Sequence, residues 1–494
     1  MQRFMNFTPL NKKTVLQLAF ICAFSLIVYL LASHFYYRNG FPLDDSWIHL
    51  TYARNLALHG EWAFQPGKST AGSTAPLWTL LLAIGFLLKL GPYMWTYLLG
   101  GMALWGTSLL AESVVRKIVP TYQGKFPWVG MFFALEWHLA WAAASGMETI
   151  LHALLVTIVL GALMTGSRRF LALGILTGLS VWVRPDGITL LGPIIVYIVA
   201  ISKSWKKRMD AIFHVLVGFG VLFCAYLVFN LILAGTPMPN TFYAKQAEYV
   251  AWQGRPFSTR LGQTMLQLWT GSIFALVPGV IGWLVMAIKR RNWGTLTGMF
   301  WFFGYILIYM ERLPPYQHGR YIMPAMPVLF LWGMAGFLEF LHSKMLGKFQ
   351  WMAANAWRWL VITLSVMFFS MGAWSYAMDV ALIESEMVQT AKWVSQNIGK
   401  KEVIAAHDIG ALGYFDSHKI IDLAGLISPE VVPFIRDETR LAEFLTEHRA
   451  GYLITFPSFY KSLISGLEKV YVTHSTIAYS LNGENMVIFR WSSP

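Results

Sequence analysis

The run Thr74-Ala75-Pro76-Leu77-Trp78-Thr79-Leu80-Leu81-Leu82-Ala83-Ile84-Gly85-Phe86-Leu87-Leu88-Lys89-Leu90 decides how the rest of the chain is threaded. It is apolar enough to enter a membrane, but it is short. It opens at Pro76 and stops at Lys89 and at Gly91-Pro92. A span needs roughly 20 apolar residues. Twelve segments are candidates, near 14–34, 74–90, 93–115, 127–145, 148–165, 170–184, 187–202, 210–234, 264–288, 295–310, 321–341 and 352–378. If 74–90 crosses, then Arg116-Lys117, Arg168-Arg169, the Lys203 to Arg208 cluster and Lys289-Arg290-Arg291 all fall outside. If it lies in the outer interface as an amphipathic or re-entrant helix, every one of those clusters falls inside. The amino terminus and the loop holding Lys344 and Lys348 then fall inside too. Cytoplasmic loops carry the excess of Lys and Arg, so the second arrangement is expected. It gives eleven spans with the carboxy terminus outside.

Composition supports a chain solvated mainly by lipid. Of its 494 residues 56% are hydrophobic and 13% charged, and its mean hydropathy is +0.51. A soluble domain carries about a quarter charged residues. The aromatic share of 16% suits rings anchored at membrane interfaces. The formal charge of +13 belongs in loops facing anionic lipid, not on a nucleic-acid footprint. Cys22 and Cys224 each lie inside an apolar run and read as packing residues. The first apolar segment, Thr14 to Ser33, follows Arg3, Lys12 and Lys13 and reads as an uncleaved signal-anchor.

The outer loops follow from this threading. The first is about 34–92, with two interfacial helices. Next come the corners near Ser145 to Thr149 and Arg184 to Gly187, the loops 235–263 and 311–320, and everything after about 379. The expected division is a transmembrane domain over 1–378 and an extracytoplasmic α/β domain over 379–494. That tail has strand-like runs at Val403 to Ala406, Lys419 to Asp422, Gly451 to Thr455 and Met486 to Arg490.

Charge collects on this outer side. Phe41-Pro42-Leu43-Asp44-Asp45-Ser46-Trp47-Ile48 sets two carboxylates just past the first span. One of Asp44, Asp45 or Ser46 suits the cap of a helix running to Leu58 and stopping at Gly60, which leaves a neighbouring carboxylate free. Glu148 stands at a span end, and Arg184-Pro185-Asp186-Gly187 forms a proline-broken corner where Arg184 and Asp186 suit a pair. His318-Gly319-Arg320-Tyr321 opens another span, and Arg320 suits snorkelling to the interface. Between them lies Pro239-Asn240-Thr241-Phe242-Tyr243-Ala244-Lys245. Ionisable groups at membrane ends default to functional candidates. Transfer of a sugar from a lipid phosphate needs such a mixture. A carboxylate takes the acceptor proton, and cations hold the departing phosphate.

These motifs carry a resemblance. Asp44-Asp45-Ser46-Trp47-Ile48 with Tyr52-Ala53-Arg54-Asn55-Leu56-Ala57, Phe64-Gln65-Pro66-Gly67 and Ser73-Thr74-Ala75-Pro76-Leu77-Trp78 resembles the first loop of GT-C membrane glycosyltransferases. Ser145 to Glu148, Arg184 to Gly187, Pro239 to Lys245, His318 to Tyr321 and Asp408 to Phe415 fit in the same order. Within that superfamily the chain most resembles the terminal arabinofuranosyltransferases of mycobacterial cell walls and their relatives in other bacteria. The resemblance implies a GT-C fold with two juxtamembrane helices in the first loop and a polyprenyl-phosphate sugar donor. It puts the general base on Asp44, with Asp45 orienting the acceptor or a metal. Some members use a divalent cation and others do not; Asp44 and Asp45 are the residues to hold Mg²⁺ or Mn²⁺.

By charge and side, the substrate-binding set is Glu148, Arg184, Asp186, Tyr243, Lys245, His318 and Arg320. The expected reaction is an inverting displacement at the bacterial cytoplasmic membrane, with the amino terminus inside. The acceptor is a glycan, a glycolipid or a protein. The competing readings are a transporter or flippase for lipid-linked intermediates, and a non-enzymatic assembly factor. Against transport stands the lack of an internal repeat, together with charges at span ends rather than at the midplane.

Overall fold

A computed structural model describes residues 5–343 and 347–492. Arg3 and Lys344, counted above for loop charge, lie outside the described residues. Among the described residues six helices are long and apolar enough to cross a membrane: Lys12–Tyr36, Pro92–Ile118, Trp205–Ala234, Trp293–Arg312, Tyr316–Leu341 and a long helical stretch over Lys348–Asn397. The chain is an integral membrane protein.

The first helix displays the physical logic. Phe20, Phe24, Ile27 and Leu31 recur along one face and stay exposed. Leu18, Cys22, Ser25, Tyr29 and Ser33 recur along the other and are buried. The large apolar side chains meet lipid, while small and polar ones mediate helix contact.

Pro76–Leu87 is a helix of 12 residues. At 1.5 Å per residue it reaches about 18 Å, well short of the roughly 30 Å hydrocarbon core. With Asp45–His59 it makes two short helices in the first loop. Two expected spans are broken. The segment 127–145 folds as Trp128–Leu135 and Trp137–Ala144, because the Glu136 side chain accepts the Leu139 N–H and starts a new helix there. The segment 264–288 falls in Phe257–Trp269 and Ile273–Lys289, bent by 99°.

The long helix that begins at Lys348 does not stop near 379. It continues to Ile383 and passes through a π-turn, Glu384–Val388, into Gln389–Asn397. Strand labels follow chain order. A small hairpin in the first loop pairs β1 (Ala63–Gln65) with β2 (Lys68–Ser69). The carboxy-terminal sheet contains β3 (Val403–Ala406), β4 (Lys419–Asp422), β5 (Tyr452–Thr455), β6 (Glu468–Val472) and β7 (Val487–Arg490). Its order is β4-β3-β5-β7-β6. The pairs β3/β4 and β3/β5 are parallel, whereas β5/β7 and β6/β7 are antiparallel.

Alternation sends Ile404, Ala406, Ile454 and Ile488 to one face, packed with Trp47, Leu412 and Val388. Ala405, Leu453, Val487 and Phe489 point to the other, against Leu441 and Leu445. The first core is continuous with the helices of the first loop, so the sheet is docked on that loop.

Candidate active site

The helix Thr149–Met164 links two cavities. At its far end Lys117, Thr165 and Arg290 line a small one of about 200 Å³. At its near end lies a cavity of about 600 Å³, lined by Asp45, Glu148, Arg184, Asp186, Lys245 and Arg320. The expected outer corners thus share one pocket, and the ends bearing Lys117 and Arg290 meet at the opposite side.

Local sequence positions each group. Asp45 sits in the first turn of Asp45–His59, which ends at Gly60 with φ 70°. Gly146, with φ 80°, turns the chain into Glu148. Arg184 closes Phe170–Val183, and Pro185 starts the 3-10 turn Pro185–Leu190. Lys245 rides on Asn240–Glu248, a helix pinned at its start. There the Asn240 N–H donates to the Ala71 carbonyl at 3.1 Å, and its Nδ2 donates to the Leu426 carbonyl at 3.2 Å.

Arg320 follows three left-handed residues, Gln317, His318 and Gly319, with φ of 51°, 59° and 70°. Two of them are not glycine, a strain of order 1–3 kcal/mol each. A clasp offsets it: His318 Nε2 lies 2.8 Å from Asp379 Oδ2, which also accepts the Trp141 Nε1–H at 2.9 Å.

The two arginines are used differently. Arg184 donates from Nε to Asp186 (3.2 Å), from Nη1 to Glu148 (3.4 Å) and from Nη2 to the Tyr309 hydroxyl (3.0 Å). Tyr305 and Tyr309 donate to the second Asp186 oxygen at 2.5 and 2.7 Å. Arg320 does not snorkel outward. Its Nη2 donates to Asp45 at 2.8 Å and to Tyr321 at 2.9 Å, and its Nε and Nη1 are buried without a partner. Lys245 Nζ lies 5.0 Å from the centre of the Tyr321 ring. Burial alone would raise the Asp45 carboxyl, but Arg320 and Lys245 overcome it and hold it at about 2.

Asp44 does not line the cavity. It occupies the cap position of Asp45–His59 without capping it, and instead accepts the N–H groups of Gly410 (2.6 Å) and Ala411 (2.8 Å). A side chain at 410 would put its Cβ 2.0 Å from the Asp44 carbonyl oxygen, so only glycine permits this contact. Burial and the nearby Asp408 carboxylate push Asp44 up to about 7, against the pull of the two N–H donors. His318 and Tyr243 also fall outside the cavity lining: His318 faces Asp379, and the Tyr243 ring packs on Phe242. The two carboxylates of the acidic doublet have different partners: Asp44 faces backbone N–H groups and Asp45 faces two cations. No cluster of three or more metal-ligating side chains occurs among the described residues.

Sequence reasoning missed His49, His152, Tyr305 and Tyr309. His49 Nε2 is 3.4 Å from Glu148, and His152 Nε2 is 3.7 Å from Asp186. The signal was spacing: His49 follows Asp45 by one helical turn, His152 follows Glu148 and Tyr309 follows Tyr305.

Solved structures share this architecture. An ArnT from Cupriavidus metallidurans bound to undecaprenyl phosphate aligns over 95% of this chain and 97% of its own, with TM-score 0.55 and 14% identity. The apo oligosaccharyltransferase of Archaeoglobus fulgidus aligns over 90% of this chain and 70% of its own, with TM-score 0.59 and 11% identity. The chain has the GT-C fold. In sequence, the chain is 28% identical over 267 residues to a terminal beta-(1->2)-arabinofuranosyltransferase of Mycobacterium tuberculosis. That match covers 50% of this chain and 41% of the relative. A family model described as a domain of unknown function (DUF8728) matches residues 377–489.

Proposed function

We propose that this protein transfers a sugar from a polyprenyl-phosphate donor to an acceptor hydroxyl on a glycan, glycolipid or protein, at the outer face of the bacterial cytoplasmic membrane. The observation that carries the reading is the pair of buried, unpartnered guanidinium donors on Arg320, beside Lys245, in one cavity with Asp45. Buried donors left unpaired are costly, and a phosphate oxygen is the partner such a fork suits best. The same cavity is also lined by Ile188, Leu307 and Ile308, apolar side chains that are exposed at the protein surface. They offer a side slot for a prenyl tail. The name of the mycobacterial relative makes arabinofuranose the first sugar to try.

In this mechanism the acceptor oxygen attacks the anomeric carbon from the face opposite the phosphate, so the centre inverts. The bond from that carbon to the phosphate oxygen breaks, and its electrons stay with the leaving prenyl phosphate. Arg320 and Lys245 meet the charge that grows there, which is where a preorganised cation lowers the barrier. We assign the acceptor proton to Asp44, which lies behind Asp45 outside the cavity lining, so the acceptor hydroxyl has to approach it from the side of the carboxy-terminal domain. The elevated proton affinity of Asp44, near 7, matches what a general base needs at neutral pH. Arg184, each of whose three guanidinium nitrogens already donates to protein, holds Glu148 and Asp186 in place.

The test uses purified full-length enzyme and a panel of polyprenyl-phosphate sugars. One donor should be consumed, and Asp44→Asn should cut turnover by about 10²–10⁴-fold with donor affinity retained. Turnover near wild type in a folded Asp44→Asn variant removes Asp44 as the base. No consumption of any donor removes the transferase reading.

A further inference from the structure

The carboxy-terminal sheet has a feature that the donor cavity does not use. The chain enters at β3, moves to β4 on one side, then crosses to β5 on the other. The helix Gly410–Phe415 leaves β3 on one face of the sheet, with Leu412 beside Ile404 and Ala406. The helix Glu438–Glu447 returns to β5 on the opposite face, with Leu441 and Leu445 beside Ala405 and Leu453. Connections that diverge to opposite faces leave a crevice at the carboxyl ends of the two strands, where open parallel sheets bind ligands.

The residues at those strand ends are His407 and Asp408 after β3, and Phe459 in the loop after β5. His407 Nδ1 is 3.6 Å from Asp408 Oδ1, too far for a hydrogen bond. Nδ1 and Asp408 Oδ2 are both shielded and partnerless. A donor and an acceptor thus stand side by side with unused capacity. Beside them Phe459 is 46% exposed, with its ring centre 5.2 Å from that of His407. Across the crevice Glu248 Oε1 lies 3.9 Å from His407 Nε2, and the Glu248 carbonyl accepts from Arg436 at 2.9 Å. An adjacent donor and acceptor match a pair of neighbouring hydroxyls, and an exposed ring beside them matches the C–H face of a sugar.

The crevice also adjoins the proposed reaction centre. Asp44 grips the Gly410 and Ala411 N–H groups just past Asp408, and its chain neighbour Asp45 lines the donor cavity. We infer that this crevice is the acceptor subsite. His407 and Asp408 bond to hydroxyls of an acceptor sugar, Phe459 covers its face, and the next hydroxyl is delivered towards Asp44. The inference rests on the proposed transferase reading and commits the acceptor to carbohydrate.

The experiment is ligand-observed NMR on full-length protein in nanodiscs, with methyl α-D-arabinofuranoside, methyl α-D-mannopyranoside and methyl β-D-galactopyranoside as probes. Binding of undecaprenyl phosphate is measured in parallel. At least one glycoside should bind wild type. Phe459→Ala, an exposed position, and Asp408→Asn, a near-isosteric change, should each weaken that binding at least tenfold and leave undecaprenyl phosphate binding within twofold. If no glycoside binds wild type, or if both variants bind it as wild type does, the subsite is overturned while the donor cavity stands. If glycosides bind as expected but undecaprenyl phosphate does not bind wild type, the donor reading fails and the sugar crevice remains.

Discussion

At the corner that carries Arg184, one guanidinium meets two carboxylates and a tyrosine, and Nε, Nη1 and Nη2 all donate. At the corner that carries Arg320, the guanidinium meets Asp45 and Tyr321 through Nη2, while Nε and Nη1 donate to nothing. In sequence the two corners look alike, each a lone arginine beside a chain-breaking residue at a span end. Hydrogen-bond accounting separates them. An arginine whose three nitrogens all donate to protein acts as a structural brace; one with two nitrogens buried and unpaired keeps capacity for a further acceptor. The contrast sharpens an expectation from charge alone, in which both arginines belonged to the substrate-binding set.

The largest effect expected from this contrast is on stability at Arg184. Arg184→Ala takes from the buried Asp186 its main partner and from Glu148 one of two, His49 remaining, and breaking a buried pair this way costs about 3–5 kcal/mol. The unfolding temperature of the purified protein should fall sharply, while molecules that remain folded keep donor affinity within about threefold. A stable Arg184→Ala protein with lost donor binding would reverse the assignment.

Arg320→Ala should do the opposite. It removes the spare donors, so undecaprenyl phosphate affinity should drop about a hundredfold, equivalent to about 3 kcal/mol at 1.4 kcal/mol per tenfold. Arg320→Lys keeps the charge but not the fork and should recover only part of that loss. Affinity unchanged in both variants would break the comparison outright.

What the sequence could and could not tell follows the range of the interactions. Long apolar helices were legible wherever hydropathy is local: among the described residues six of the twelve candidate segments stand as helices long enough to cross, and the stretch after Pro76 is a helix of 12 residues. The break at Glu136 was not legible, since it depends on one side chain capping the next helix. Nor was the helix that continues past 379. Glu384 and Glu386 look like a span's polar end, but both are buried, and Glu386 accepts from Asn485 Nδ2 (3.2 Å) and the Met486 N–H (2.8 Å), about a hundred residues on. Four strands announced themselves by apolar runs; β6, Glu468–Val472, did not, because it is a half-exposed edge strand with charges. At the site, charged corners were visible as types. Their roles were not, because the Asp45–Arg320 pair spans 275 positions and the Asp44–Gly410 contact 366.

The smallest effect concerns His407, and it separates the crevice from the donor cavity by pH. Burial disfavours the charged imidazole, but Asp408 and Glu248 more than compensate and raise His407 from 6.5 to about 10. A group whose proton is held more tightly in the folded state adds stability that is complete below its unfolded value and is lost as pH rises through its folded value. Wild type should therefore lose thermal stability between about pH 6.5 and 10 through this group. His407→Gln should lose less across the same window, by a few degrees in unfolding temperature, because the remaining carboxylates no longer lose a charged partner. Asp45, held at about 2, does not titrate in this window; Asp44, at about 7, titrates at its lower edge in both proteins, so the difference between the two profiles above that edge reports His407. Superimposable profiles from pH 6.5 to 10 would mean that His407 is neutral in the folded protein. The hydroxyl contact would then rest on Nδ1–H of an uncharged ring or on Asp408 by itself.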